Sequence, residues 1–267
     1  MTLAQALADA VRLGLDRLDA ELLLLFALGR APIQRAWLLA HGTDALPPNA
    51  GFEALALRRA QGEPLAYITG HKEFYGLDLQ IDARVLDPRA DTETLVDWAL
   101  EVAPPQGTVV DLGTGSGAIA LALKHIRPDL QVQAVDASAS ALAVARANGE
   151  RLRLAIGWHQ GHWLQALQGQ FDAIVANPPY IASGDAHLAA LQHEPREALV
   201  SGAQGMEDIR AIIGQAPTRL LAGGWLLLEH GHDQAQATRS LLRAAGFQQV
   251  QSRRDLAGIE RCSGGQL

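Results

Sequence analysis

The sequence predicts an α/β protein: a small N-terminal helical bundle (residues 1–70), a β-hairpin linker (71–87) and a C-terminal domain (88–267) built on a largely parallel sheet. Three observations predict it. Over the first seventy residues the apolar positions recur at helical rather than strand spacing. From Thr108 onward, short β-branched runs alternate with helical stretches, the pattern of βα units. The first of these runs, Val109-Val110-Asp111-Leu112, passes straight into Gly113-Thr114-Gly115-Ser116-Gly117 and then into Ala118–Leu123, a strand, a Gly-rich turn and a helix.

In the N-terminal segment, Leu3, Leu7, Val11 and Leu15 form one helical stripe, Leu18 to Leu28 a second apolar stretch and Phe52 to Arg59 a third. Pro32 and Pro47-Pro48-Asn49 separate them. The alternation from Tyr67 to Ile81 around Gly76 predicts a hairpin. Strands are expected at Thr108–Asp111, Leu130–Asp136, Arg153–Ile156, Phe171–Ala176 and Gly224–Glu229, with helices between. A helix at Gln234–Ala245 and strands at Gln248–Arg253 and Ile259–Cys262 close the chain. The strand, Gly-rich turn and helix make the second domain Rossmann-like.

Bulk properties narrow the function. Apolar residues make up 48% and charged residues 19%, the balance of an ordinary folded protein. A net charge of −7 offers no broad attraction to a polyanion and argues against a dedicated nucleic-acid binder. The single cysteine, Cys262, permits no internal disulfide; it reads as structural, and the reducing cytoplasm as the compartment. The longest apolar stretch, Leu22 to Leu28, is too short for a membrane span and badly placed for a signal peptide.

Chemistry concentrates at three strand ends. Glycine lets a backbone turn tightly and approach a ligand, so Gly113–Gly117 is a candidate ligand bed, although its spacing is G-x-G-x-G rather than the dinucleotide pattern. About twenty residues on, the run Leu130–Val135 ends in Asp136, a carboxylate suited to both hydroxyls of a ribose or, alternatively, to the N-terminus of a helix over Ser138–Asn148. The run Phe171–Ala176 ends in Asn177-Pro178-Pro179-Tyr180. Two prolines remove two backbone donors and keep the strip extended, leaving a rigid set of acceptors. The Asn177 side-chain oxygen and the Pro178 carbonyl would hold the N–H groups of a planar amide or amino group, with Tyr180 packed on its face.

Taken with Tyr67-Ile68-Thr69-Gly70, Glu73-Phe74-Tyr75-Gly76, Pro88-Arg89-Ala90-Asp91-Thr92-Glu93, Glu194-Pro195-Arg196 and Asp255-Leu256-Ala257-Gly258, these motifs make the chain resemble the release factor glutamine methyltransferases over most of its length. That resemblance implies an S-adenosyl-L-methionine-dependent, Rossmann-like enzyme that methylates N5 of the glutamine in the Gly-Gly-Gln motif of class-1 peptide chain release factors, its protein partners. It implies that the N-terminal helical module recognises the substrate. It makes Gly113, Thr114, Gly115, Ser116 and Gly117 the bed of the cofactor, places Asp136 on the ribose and Trp163 along the adenine, and makes Asn177, Pro178, Pro179 and Tyr180 the holders of the glutamine, with Asn177 also touching the cofactor. Two local departures, Asp87 with Ala90 and the segment Gly202–Gly205, affect expected cofactor contacts only.

Two other functions remain open at this point. An amino-purine presents a planar N–H group much like an amide, so a nucleic-acid N-methyltransferase acting on adenine or guanine is the alternative enzyme. A binding module that has lost catalysis is the third reading, opposed by the intact Gly-rich turn, Asp136 and Asn177. His159 and His162, or His230 and His232, lack the cysteines or acids that complete a metal-ligand set, so no metal is expected and they read as surface histidines. Glu194, Arg196 and Glu197 follow the strand that ends in Asn177 and read as a solvated helix face in preference to a lining of the substrate entrance. Arg12, Arg17, Arg58 and Arg59 read either as a basic docking patch or as ordinary surface charge. The chain ends in Gly264-Gly265-Gln266-Leu267, a coincidental copy of the target tripeptide in a tail expected to fray.

Overall fold

The computed structural model describes residues 1–267, which divide into two compact units, 1–71 and 72–267. In the first, helices α1 (Leu3–Arg12), α2 (Arg17–Ala27), α3 (Arg35–Ala40), α4 (Phe52–Ala60) and α5 (Leu65–Thr69) enclose a core of Leu3, Leu7, Leu23, Leu24, Phe52 and their neighbours. Helix α1 starts at Thr2, whose side chain accepts from the Gln5 amide while the Gln5 side chain accepts from the Thr2 amide. Its stripe runs through Leu3, Leu7 and Ala10, leaving Val11 exposed. Seven residues lie closer to two full helical turns than eight do, so Ala10 rather than Val11 continues the face. Arg12 pairs with Asp9, Arg17 with Glu21, Arg58 with Glu63 and Arg59 with Asp19. The four arginines thus form acid-paired surface charge and not a free basic patch.

The hairpin is shorter than its pattern suggests: β1 (His71–Phe74) pairs with β2 (Leu77–Gln80), while Tyr67–Thr69 belong to α5, which ends at Gly70 in the left-handed conformation. Asn148 is fully buried beside this hairpin. Its Oδ1 accepts from the Gln80 amide at 2.8 Å, and its Nδ2 donates to the carbonyls of Gln80 and Ser116 at 3.0 Å each. One side chain therefore fastens β2 to the Gly-rich turn. Asn148→Ala is expected to cost about 2–4 kcal/mol in stability, since it leaves a cavity in the core and strands three backbone groups, the buried Ser116 carbonyl among them. Urea unfolding measures this, and a loss below about 0.5 kcal/mol would contradict it.

Helix α6 (Glu93–Val102) follows, burying Leu95, Val96, Trp98 and Ala99. Then come β3 (Thr108–Leu112), α7 (Ala118–Ile126), β4 (Gln131–Asp136), α8 (Ala139–Leu152), β5 (Gly157–Gln160), β6 (Phe171–Ala176), α9 (Glu207–Gln215), β7 (Leu220–Glu229), α10 (Ala235–Ala244), β8 (Gln248–Arg254) and β9 (Glu260–Gln266). The strands form one seven-stranded sheet in the order β5-β4-β3-β6-β7-β9-β8, parallel except where β9 pairs with β7 and β8. The expected strand at Arg153–Ile156 is displaced. Arg153 closes α8 in the left-handed conformation and the Leu154 amide bonds back to Gly149, so pairing starts only at Gly157.

The C-terminal tripeptide does not fray. Gly264 and Gly265 are buried between β7 and β8, and the Gln266 side-chain amide donates to the Gly223 carbonyl at 2.8 Å. Leu227 and Trp98 pack over Gly264, and Phe247 and Val250 over Gly265, so pairing and packing both hold the tail. If the chain transfers a methyl group from S-adenosylmethionine as its resemblance implies, incubation with that donor is expected to leave its own intact mass unchanged, and one methyl on Gln266 would contradict the strand assignment.

Candidate active site

The register of the parallel strands assembles the site. Leu112 of β3 pairs with Val135 of β4 and with Ala176 of β6, and Ala176 pairs with Leu228 of β7. The residues that follow these positions, Gly113, Asp136, Asn177 and Glu229, therefore emerge side by side at the carboxyl edge. The chain builds outward from β3 through β4 to β5 and then returns to add β6 and β7 on the other side, so the crevice between β3 and β6 is a topological switch point.

Two cavities open there. The first, about 210 Å³, is bounded by Gly113, Gly115, Asp136, Trp163, Asn177 and Pro179 among others. The second, about 520 Å³, is bounded by Arg89, Asp91, Asn177, Tyr180, Glu229 and Arg261 among others. Asn177 lines both.

The Gly-rich turn is held from beneath. Gly113 and Thr114 donate their amides to the Val135 carbonyl at 2.8 and 3.0 Å, and Gly115 donates to Asp136 Oδ2 at 2.8 Å. Gly113 has φ 71°, and a Cβ there would stand 3.2 Å from the Trp163 ring. The positive φ favours glycine, and any side chain would also crowd the indole. Only part of the expected bed faces the cavity. Thr114 turns its hydroxyl inward to Asp111 Oδ2, Ser116 is buried, and Gly117 starts α7 beneath Leu121, Ala145 and Trp158. Asp111, beneath the turn, escaped the motif reading although it stands inside the motif. It is fully buried, its Oδ1 has no hydrogen-bond partner, and burial pushes its pKa up to about 7.

Asp136 serves two roles at once. Oδ2 takes the Gly115 amide and Oδ1 the Ser138 amide at 2.8 Å, while the carboxylate still borders the cavity. The helix cap itself is Ser138, which accepts from the Ala141 amide. Burial raises the Asp136 pKa, opposed by those two backbone donors. Trp163 likewise borders the cavity on one side and packs on the core on the other.

At the tetrapeptide, Asn177 Nδ2 donates to Thr92 Oγ1 at 3.2 Å. Pro178 is buried and borders neither cavity, so of the tetrapeptide only Asn177, Pro179 and Tyr180 line the two cavities. Burial raises the Tyr180 pKa well above that of a free phenol. The Tyr180 carbonyl accepts from Gln234 Nε2 at 3.0 Å, and the same nitrogen reaches the Gly205 carbonyl at 3.1 Å. Gly205 has φ 73°, and a Cβ there would fall 2.4 Å from the Tyr180 carbonyl oxygen. The segment Gly202–Gly205 therefore supports the tyrosine and borders neither cavity.

Glu194 is not on a solvated face: it is buried, bonded to Arg89 and 3.4 Å from the Asp87 amide. Asp87, also buried, lies 3.2 Å from the Lys72 ammonium and 3.7 Å from Arg89. Long-range pairing of this kind leaves no local sequence pattern. Glu197 borders the first cavity. His162 borders the first cavity, whereas His230 is buried rather than exposed, with Nδ1 2.8 Å from the Gly231 carbonyl and Nε2 2.8 Å from Ser263 Oγ. Cys262 is buried and its thiol pKa raised, as suits a structural residue.

Comparison with known proteins agrees with this geometry. Residues 2–70 match the family model described as PrmC N-terminal domain, and residues 90–206 the model described as Methyltransferase small domain. A protein of Bordetella pertussis named release factor glutamine methyltransferase is 50% identical, covering 95% of this chain and 96% of its own. One of the same name from Pseudomonas aeruginosa is 48% identical, covering 94% and 92%. Among solved structures, the hMettl16 catalytic domain in complex with a MAT2A 3′UTR hairpin is similar in fold, with a TM-score of 0.60 at 17% identity over 84% of this chain and 83% of that one. A methyltransferase from Pyrococcus furiosus has a TM-score of 0.56 at 19% identity, over 72% and 88%.

Proposed function

The chain belongs to the release factor glutamine methyltransferase family, and on that premise we propose that it methylates N5 of the glutamine in the Gly-Gly-Gln motif of class-1 release factors, with Asn177 as the residue that presents the amide. The observation that carries this reading is the position of Asn177 on both cavities. One cavity suits the cofactor and the other the glutamine.

The protein is an S-adenosylmethionine-dependent methyltransferase, and the first cavity fits that cofactor. Asp136, Glu197 and Asp208 give the cavity wall an acidic character that suits a cationic ligand with a ribose diol, and the flat Trp163 indole beside Gly113 suits a purine. Asp136 would hold the ribose, Trp163 the adenine, and the backbone at Gly113 and Gly115 the methionine part. When bound, S-adenosylmethionine supplies an electrophilic methyl group.

An amide nitrogen is a poor nucleophile because its lone pair is delocalised into the carbonyl, so positioning must supply most of the rate. Asn177 Oδ1 and the Pro178 carbonyl accept the two amide hydrogens, aim the nitrogen and stabilise the positive charge that grows on it. Tyr180 packs on the amide plane and stays a neutral phenol, because burial disfavours its ionised form. The tetrapeptide needs no base: alkylation makes the nitrogen acidic enough for water to take the proton. The helical unit, matching a domain of its own in the family, is the part we assign to recognising the release factor. No single helix is long and apolar enough to cross a membrane, and one buried free cysteine suits the reducing cytoplasm, where we place the enzyme.

The family evidence favours this substrate over a base in nucleic acid, since the likeness to RNA-bound structures extends to the fold alone. Labelled methyl transfer from S-adenosylmethionine to purified release factors, with tRNA, rRNA and DNA in parallel, tests the choice. Label is expected in the release factor, and label in nucleic acid alone would overturn the reading.

A further inference from the structure

The tetrapeptide explains why an asparagine is useful at position 177 but not what decides which end of its amide faces the substrate. A primary amide has an acceptor end and a donor end of nearly equal size, and only the acceptor end can take a hydrogen from the substrate. The surrounding protein must therefore bind the NH2 end.

Strand register brings that partner into place. Because Ala176 pairs with Leu228, Glu229 ends β7 directly alongside Asn177, and it borders the same second cavity. Glu229 is 1% exposed and its Oε2 has no hydrogen-bond partner; burial pushes its pKa up to about 7, and hydrogen bonding from Thr92 and Asn177 opposes that rise. Thr92, itself buried at the start of α6, accepts from Asn177 Nδ2 at 3.2 Å, and this leaves its own hydroxyl proton to donate onward. Asp91, Tyr180, Arg261 and Cys262 complete the ionisable surroundings of the carboxyl.

We propose that Glu229 is a positioning residue: through Thr92 and the Asn177 NH2 group it holds the asparagine so that Oδ1 points at the substrate amide. This rests on the reading of Asn177 given above. With the Thr92 hydroxyl proton committed to the Glu229 carboxylate, turning the amide over would set Oδ1 against two acceptor oxygens, so the pair selects one orientation. A buried carboxyl with an unsatisfied oxygen is costly, and a leucine of similar volume would suit a purely structural position better. Its presence beside the strip of acceptors is accounted for by the orientation it imposes.

The test is a kinetic double-mutant cycle on full-length enzyme with release factor as substrate. Glu229→Leu is expected to lower kcat on the order of 10–100-fold, as misplacement of a reacting group does, with KM for the release factor and affinity for S-adenosylmethionine little changed. Glu229→Gln, which keeps a carbonyl acceptor, is expected to recover most of that loss. In an Asn177→Ala background, Glu229→Leu is expected to cost nothing more, because the residue it orients is gone. Should Glu229→Leu fail to fold, Thr92→Val breaks the same chain at its middle and is expected to show the same kcat loss and the same silence behind Asn177→Ala. Wild-type kcat in a folded Glu229→Leu or Thr92→Val enzyme, while Asn177→Ala is impaired, overturns the proposal alone, as do losses that multiply in the double variant. A wild-type Asn177→Ala overturns the reading of Asn177 as well.

Discussion

Asn177→Ala is expected to lower methyl transfer about 100-fold or more, because the substrate nitrogen loses an acceptor aligned on its developing positive charge. Cofactor affinity should change far less, since the backbone at Gly113 and Gly115 and the Asp136 carboxylate also line the first cavity and keep their own supports. Single-turnover rates with saturating S-adenosylmethionine separate the two effects. From the motif alone, Asn177→Asp looks milder than alanine, since it keeps an acceptor in place. The structure reverses that expectation at neutral pH. An aspartate would turn its second oxygen on Thr92 and set a carboxylate beside Glu229, where like charges disfavour each other's ionised forms. It is expected to be about as damaging as alanine.

Asp136→Ala is expected to weaken S-adenosylmethionine binding by roughly 1.5–3 kcal/mol for each charge-assisted hydrogen bond lost to the ribose, or more than about tenfold in Kd. The structure adds a second source of loss. The same carboxylate ties down the Gly115 and Ser138 amides, so its removal also loosens the turn that lines the cavity. Asp136→Asn separates the two contributions, because one amide oxygen still serves a backbone donor while the charge is gone. Calorimetric titration measures both variants. An unchanged Kd in a folded Asp136→Ala protein would remove this residue from the site.

The parts of the fold that were legible in the sequence are those whose cause is local. The Gly-rich turn, the strand ending in Asp136 and the Asn-Pro-Pro-Tyr strip each follow from backbone conformations that their own residues dictate, and register then brings them to one edge. The illegible parts are those that a distant partner decides. Gly264-Gly265-Gln266 looks like a loose tail because glycine weakens a strand, yet pairing on both sides buries it. Arg153 reads as the start of a strand because nothing in the sequence marks its left-handed cap. Helix α6 carries no strong start signal, since Thr92 makes no side-chain cap and the preceding residues form a turn rather than a helical stripe. Within the site, Asp111, Asn148 and Glu229 were missed for one reason. Asp111 and Asn148 hold the Gly-rich turn from its buried side and Glu229 stands beside Asn177, and a carboxyl or amide at a strand end or in a helix has no pattern until its neighbours are known.

Tandem mass spectrometry of a class-1 release factor after incubation with this enzyme and S-adenosylmethionine tests the central claim most directly. The account expects one added methyl, located on the side-chain amide of the glutamine in the Gly-Gly-Gln motif and absent when Asn177→Ala enzyme is used. A methyl on any other residue, or an unmodified release factor in the presence of folded, cofactor-binding enzyme, would contradict it.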